Sequence, residues 1–302
     1  MRTMEEPTTI DLTALEQPPA PEAHARTGRR VRRIMGIAAV GVAAFIGLFL
    51  LYLFGASRIT EIRSQRLLLP EFRSLTQQGP ASVPDWQPAP GQPVALLSIP
   101  SIGMQQIVVE GTSASELTRG PGHYPGSPLP GRAGNSVIAG RRSAFGGPFH
   151  SIGILQPGDT VEVATGQGAF TYTVASVGSV MPGQGDVIGG STTNQLTLVT
   201  STPAYRASGR LVVVAKLTTA PAPGPAAIAP VVPQDQTGLT GEPGAAAPLL
   251  FWLEVLAAAG VAGVWYSRRI SPRAARLLMT PIAVALLWAI FAMMARLLPA
   301  TL

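Results

Sequence analysis

The 302-residue chain has no cysteine, three histidines and one lysine, Lys216. Without cysteine it forms no disulfide, builds no thiolate metal site and offers no thiol nucleophile. Charge is sparse, at 13% of residues against 46% hydrophobic. That balance allows one modest domain together with membrane segments. The acidic side chains Glu110, Asp159, Glu162 and Asp186 show no paired spacing for acid–base or metal work and read as solvated. No cofactor and no metal are expected.

The net charge of +6 is concentrated in two places. Arg26, Arg29, Arg30, Arg32 and Arg33 crowd the N-terminal tail, and Arg268, Arg269, Arg273 and Arg276 crowd one short loop. Between Ala56 and Ala247 there are 11 Lys+Arg against 10 Asp+Glu, which is nearly neutral. A basic excess flanking apolar runs is the positive-inside pattern and not a phosphate-binding face, so nucleic acid is not an expected partner.

These clusters order the chain. Residues 1–33 read as a disordered, basic cytoplasmic tail, and 34–54 as a first transmembrane helix, uncleaved because the run exceeds a signal-peptide core. Residues 55–92 read as a juxtamembrane helix, broken or kinked at Pro70, and a Pro/Gly/Gln linker. A strand-rich region follows at 93–217, then a Pro/Ala/Gly-rich spacer at 218–248. Two further spans, 249–266 and 277–295, enclose the Arg-rich loop 267–276. The consistent topology keeps the N-terminus and that loop in the cytoplasm, with the strand-rich region and the C-terminus outside. Ala259 and Gly263, four apart, allow close helix packing.

Within 93–217, Val94–Pro100, Gln106–Glu110, Asn135–Ala139, Thr160–Ala164 and Ala169–Ser176 read as strands. Glu116 and Leu117 read as a helical turn capped by Thr112 or Ser113, Phe145–Leu155 as a short helix, and Met181–Thr193 as a Gly-rich loop. Two last strands flank a turn marked by Pro203 and Gly209: the first carries Leu196 and Leu198, the second Leu211–Ala215. Short strands at this spacing point to a sandwich or barrel.

Two stretches carry chemistry. Thr197-Leu198-Val199-Thr200-Ser201, followed by Arg210 before a β-branched run, resembles the Thr-Leu-x-Thr-Cys and Arg motifs of sortases, the membrane-anchored cysteine transpeptidases of Gram-positive cell walls. Asn135-Ser136-Val137-Ile138-Ala139-Gly140-Arg141-Arg142 resembles the segment that supplies that family's histidine. The likeness covers roughly 93–217 and is nearest to the housekeeping-like sortases of actinobacteria. It implies a mostly β fold, a closed, mostly antiparallel barrel with short helices, beside the three transmembrane helices. In the family, a thiolate attacks a sorting-signal peptide, the histidine moves protons and the arginine stabilises the oxyanion or positions the peptide.

Here Ser201 stands for the cysteine and Arg141 for the histidine, and Arg210 alone is retained. A thiol with a pKa near ~8.5 is partly ionised at neutral pH, whereas a hydroxyl needs an adjacent base. Arg141 cannot be that base, because a guanidinium stays protonated. His123, in Gly120–Gly126, is a possible substitute base, since the resemblance places that loop near the groove. Thr200, Thr202 and Tyr124, next to these positions, are the binding candidates.

The leading expectation is an inactive sortase-like protein, multi-pass in the plasma membrane with its barrel at the cell surface. It would bind a peptide, a cell-wall component or a membrane-protein partner. One alternative is a serine-dependent transpeptidase or hydrolase using Ser201 with His123. Another is a structural subunit of a membrane complex.

Overall fold

The structure, a computed structural model, describes residues 22–77, 86–181, 191, 193–205, 207–224 and 241–302. Of the expected disordered tail 1–33, residues 1–21 lie outside the described residues, as do most of the 181–193 loop with Asp186 and most of the Pro/Ala/Gly spacer. Residues 22–33 are helical, which corrects the disordered reading there. Two compact units, 1–48 and 49–302, are resolved. The first is the body of helix α1 (Glu22–Leu51), on which Ile34, Met35, Ile37, Val40, Val42, Ile46 and Leu48 stand exposed.

The second unit begins at the end of α1 with a five-residue π-helical segment, Tyr52–Ala56. Helix α2, Ser57–Gln77, continues from it. Pro70 sits inside α2 without ending it, so of the expected break or kink the break does not occur. A proline inside a helix costs ~3 kcal/mol. Leu68 and Phe72 on either side of it are buried against Ile107 and Val109, and burial of each large apolar side chain returns ~1.5–3 kcal/mol. Gln65 adds a strand-like bond pair: its Oε1 accepts from Ile107 N at 2.7 Å and its Nε2 donates to Ile107 O at 3.0 Å.

The strands are β1 (Pro93–Ile99), β2 (Met104–Glu110), β3 (Gly122–His123), β4 (Asn135–Ala139), β5 (Thr160–Thr165), β6 (Gly168–Val180), β7 (Gln195–Thr202) and β8 (Gly209–Leu217). They close into a barrel in the order β1-β2-β3-β4-β7-β8-β6-β5. Pairing is antiparallel except for β2–β3 and β4–β7, which run parallel. The closed barrel among helices is the architecture expected from the sequence.

Strand periodicity sorts the side chains of the last two strands. Leu196 and Leu198 of β7 and Leu211, Val213 and Ala215 of β8 enter the barrel core with Leu97, Ile138 and Tyr172. Residues of the other parity, Thr197, Val199 and Ser201 on β7 and Arg210 and Val212 on β8, therefore face outward. β7 lies between two neighbouring strands, and its outer face is covered as well: Thr197, Val199 and Ser201 are all buried.

The expected helix over Phe145–Leu155 is reduced to one 3₁₀ turn, Ile152–Ile154. Phe145 takes a positive φ of 50°, which a helix does not admit. The inward assignment of Phe149, Ile152 and Leu155 nonetheless stands, as all three are buried.

After the spacer, α3 (Ala246–Arg269) and α4 (Pro272–Leu297) form a hairpin. A Cβ on Gly263 would lie 3.1 Å from Met279 of α4, so the small residue does allow close approach. The described residues include three helical stretches long and apolar enough to cross a membrane, in α1–α2, α3 and α4. The open end of the hairpin meets the barrel. Glu242, just ahead of α3, accepts from Arg296 Nε at 2.8 Å and from the Ser115 backbone N–H at 2.7 Å.

Candidate functional site

Ser201 and Arg210 are direct cross-strand partners on the outer face of β7–β8. The two motifs that flank the last loop in sequence thus meet in space. Ser201 is fully buried, and its hydroxyl donates to the carbonyl oxygen of Thr301 at 2.9 Å. Arg210 is half-buried and burial lowers its pKa, with Tyr124 acting in the opposite sense. Thr200 has the opposite parity and donates to Gly140 O at 2.7 Å, tying β7 to the loop after β4. Thr202 is half-exposed at the end of β7, opposite Gly209.

Arg141, expected from the sequence to stand where a catalytic histidine would, does not hold out a free charge. It is fully buried, donates to Leu117 O at 3.2 Å and Ala114 O at 2.9 Å, and places its guanidinium 4.6 Å from the Phe145 ring centre. Nη1 has no hydrogen-bond partner among the described residues. Burial pulls the guanidinium down to about 10, partly offset by the charge of Glu242. At neutral pH it remains protonated and accepts no proton.

The loop that Arg141 opens is held at several points. Gly140 N donates to Val199 O at 3.0 Å, Phe149 N to Arg141 O at 3.1 Å, and Phe145 N to the Ser57 hydroxyl at 2.9 Å. The Ser57 hydroxyl in turn donates to Leu53 O at 2.6 Å, which locks the loop to the π-helical segment. The three N–H groups between these anchors point at the chain's own last residues. Arg142 N donates to Thr301 O at 3.0 Å, and Ser143 N and Ala144 N donate to Leu302 O at 3.3 and 3.2 Å. Successive backbone N–H groups in this arrangement make a concavity suited to carbonyl or anionic oxygens.

His123 lies elsewhere. It is 2% exposed, with Nδ1 2.7 Å from Glu110 Oε2, Nε2 3.0 Å from Pro128 O and 3.1 Å from the Ser127 hydroxyl. A carbonyl can only accept, so Nε2 carries a proton, and an ionised Glu110 calls for a second proton on Nδ1. Burial opposes the imidazolium, but Glu110 and the Pro128 carbonyl outweigh it, and the net pKa is raised. A ring that donates through both nitrogens is not positioned to take a proton from Ser201. Glu110 is thereby corrected from solvated to buried and paired.

Residues 300–302, the Arg142–Ala144 backbone and Glu110 had no part in the sequence-based site. No motif marks them, because their roles come from contacts between distant segments. Among the described residues, no three His, Asp or Glu side chains converge as metal ligands would.

This geometry can be compared with known proteins. Residues 97–218 match the sortase domain family. Sortase D of Bacillus subtilis (strain 168) is 36% identical over 89 residues, 30% of this chain and 43% of the relative. Sortase SrtE1 of Streptomyces coelicolor is 34% identical over 146 residues, 42% of this chain and 41% of the relative. The chain thus spans about two-fifths of the length of these two curated relatives. Among solved structures, sortase E of Streptomyces avermitilis aligns at 32% identity and TM-score 0.40, covering 43% of this chain and 91% of that one. A Clostridium perfringens Sortase D5 transpeptidase aligns at 25% identity and TM-score 0.46, covering 52% and 99%.

Proposed function

We propose that this is a membrane-anchored, sortase-like protein that binds a peptide, a wall precursor or a partner protein at the cell surface without catalysing transpeptidation. The observation that carries this reading is the surroundings of Ser201. Its hydroxyl donates to a peptide carbonyl, Arg141 stays protonated, and both ring nitrogens of His123 are engaged elsewhere. A serine nucleophile needs a base within hydrogen-bond reach. A cleft with a hydroxyl donor, three backbone N–H groups and Arg210 is instead equipped to hold a peptide carbonyl or an acidic group.

The proposed orientation has the N-terminal tail and the 267–276 loop in the cytoplasm and the barrel outside. It is supported by the Glu242–Arg296 pair beside Ser115, which sets the barrel against the end of the α3–α4 hairpin away from Arg268 and Arg269. The test of inactivity is turnover of a sorting-signal peptide by the full chain in detergent micelles, with mass spectrometry for an ester on Ser201. We expect no cleavage and no adduct, in the parent and in Ser201→Ala alike. Turnover that disappears with Ser201→Ala overturns the proposal.

A further inference from the structure

We infer that residues 298–302 are a tethered ligand of the cleft beside Ser201, an intramolecular peptide that an incoming peptide has to displace. The inference rests on the proposed reading of that cleft as a peptide-binding site and adds what occupies it and how it opens. Leu298 leaves α4 in an extended conformation. Pro299–Leu302 then folds into a turn closed by Leu302 N donating to Pro299 O at 3.1 Å.

The turn presents two backbone oxygens to four donors. Thr301 O accepts from the Ser201 hydroxyl and Arg142 N, and Leu302 O accepts from Ser143 N and Ala144 N. The methyl of Ala300 is fully buried in a small apolar pocket formed by Ala114, Leu117 and Ala139. Carbonyl recognition by fixed donors, with a side-chain pocket setting size, is how a peptide is read. The surroundings of Ala300 are apolar and fully buried, so a charged residue there would be left without a partner.

The tether makes this occupancy strong in place yet reversible. Arg296, four residues ahead of Ala300, is fixed by Glu242, so the turn is confined to the neighbourhood of its site. Short tethers give effective concentrations in the ~mM range, which a free peptide has to exceed. The fit is also incomplete. Thr301 Oγ1 and Arg141 Nη1 are both buried without a hydrogen-bond partner among the described residues. Buried polar groups left unpaired weaken the state that contains them. A competitor that offers Arg141 Nη1 an acceptor is favoured over the resident turn, whose displaced Thr301 hydroxyl returns to solvent.

The absence of cysteine permits a direct test. In Ser201→Cys the full chain carries one thiol, placed under Thr301, and its rate of alkylation by a maleimide in detergent micelles reports the cover. The same rate is measured after adding Ala300→Glu, and separately after deleting residues 299–302, so that a folding failure in one variant does not decide the outcome. A fluorescent peptide of sequence Leu-Leu-Pro-Ala-Thr-Leu is titrated onto the chain with Ser201 intact, with and without each change.

We expect alkylation to accelerate at least ~10-fold in both opened variants, and the peptide to bind them at least ~10-fold tighter than the parent. The added peptide should restore protection to the thiol. Equal thiol reactivity in all three chains overturns the tethered ligand while leaving the peptide titration free to support the cleft. An unmasked thiol with no peptide binding overturns the peptide-cleft reading, and this inference with it. Protection that vanishes on dilution assigns the occupant to a second copy and overturns the intramolecular tether.

Discussion

Glu110 offers the sharpest test of how the site is built. Its carboxylate lies 2.7 Å from Nδ1 of His123, and both residues are buried. At an effective dielectric of ~20, two unit charges at that distance attract by ~6 kcal/mol before desolvation is counted. Removing one partner of a buried pair has a net cost of ~3–5 kcal/mol, because the other charge is left stranded. Glu110→Ala should therefore lower the melting temperature by ~10 °C or more at pH 6. Glu110→Gln keeps the shape and one hydrogen bond to a neutral ring, and should lose only the charge-assisted part, ~1–2 kcal/mol.

The pH dependence follows from the raised pKa of His123. A group whose folded pKa lies above its ordinary value, here 6.5, stabilises the fold fully below that value. The contribution disappears as pH rises through the elevated folded pKa. The parent should thus melt at a higher temperature at pH 6 than at pH 9 by an amount that Glu110→Gln abolishes. The assay is thermal unfolding of the full chain in detergent micelles followed by tryptophan fluorescence, for which Trp86, packed against the barrel core, is a reporter. A Glu110→Ala chain melting within ~2 °C of the parent at pH 6, or a parent–Gln gap that widens with pH, refutes the reasoning.

Leu68→Ala removes the fully buried side chain that docks α2 on β2. It should cost ~2–5 kcal/mol, read as a lower denaturation midpoint and faster proteolysis of α2. In Gly140→Ala the new Cβ would lie 2.6 Å from the Phe149 ring, which is buried and cannot move aside. The expected loss is ~1–3 kcal/mol with weaker protection of a Ser201→Cys thiol, because Gly140 begins the donor loop. Burial pushes the Glu242 carboxyl upward, but its bonds to Ser115 and Arg296 prevail and its pKa is lowered below 4.5. Its stabilisation is therefore present above pH 4.5 and lost on acidification through the depressed value. Glu242→Gln should flatten that acid limb in a melting series from pH 6 to 3.

The sequence alone determined what depends on local pattern. Leu196 and Leu198 flanking Thr197, the β-branched run from Leu211 and the turn residues between them specified two strands joined by a loop, and the barrel contains both. That Ser201 and Arg210 face each other came from the register. Apolar runs of bilayer length identified the three membrane-capable helices. The absence of any thiol and the arginine at position 141 needed no coordinates, since they follow from residue identity. Only the tertiary structure decided which partners those side chains have. Pattern assigns a face and leaves the opposing group unspecified. The carbonyls held by Arg141 lie 24 and 27 residues away, the carboxylate held by His123 lies 13 residues away, and Thr301 reaches Ser201 across 100 residues of chain. No periodicity spans such separations. Closure of the barrel and docking of the α3–α4 hairpin bring these groups together, and burial then requires each polar atom to find a partner or carry the cost of lacking one.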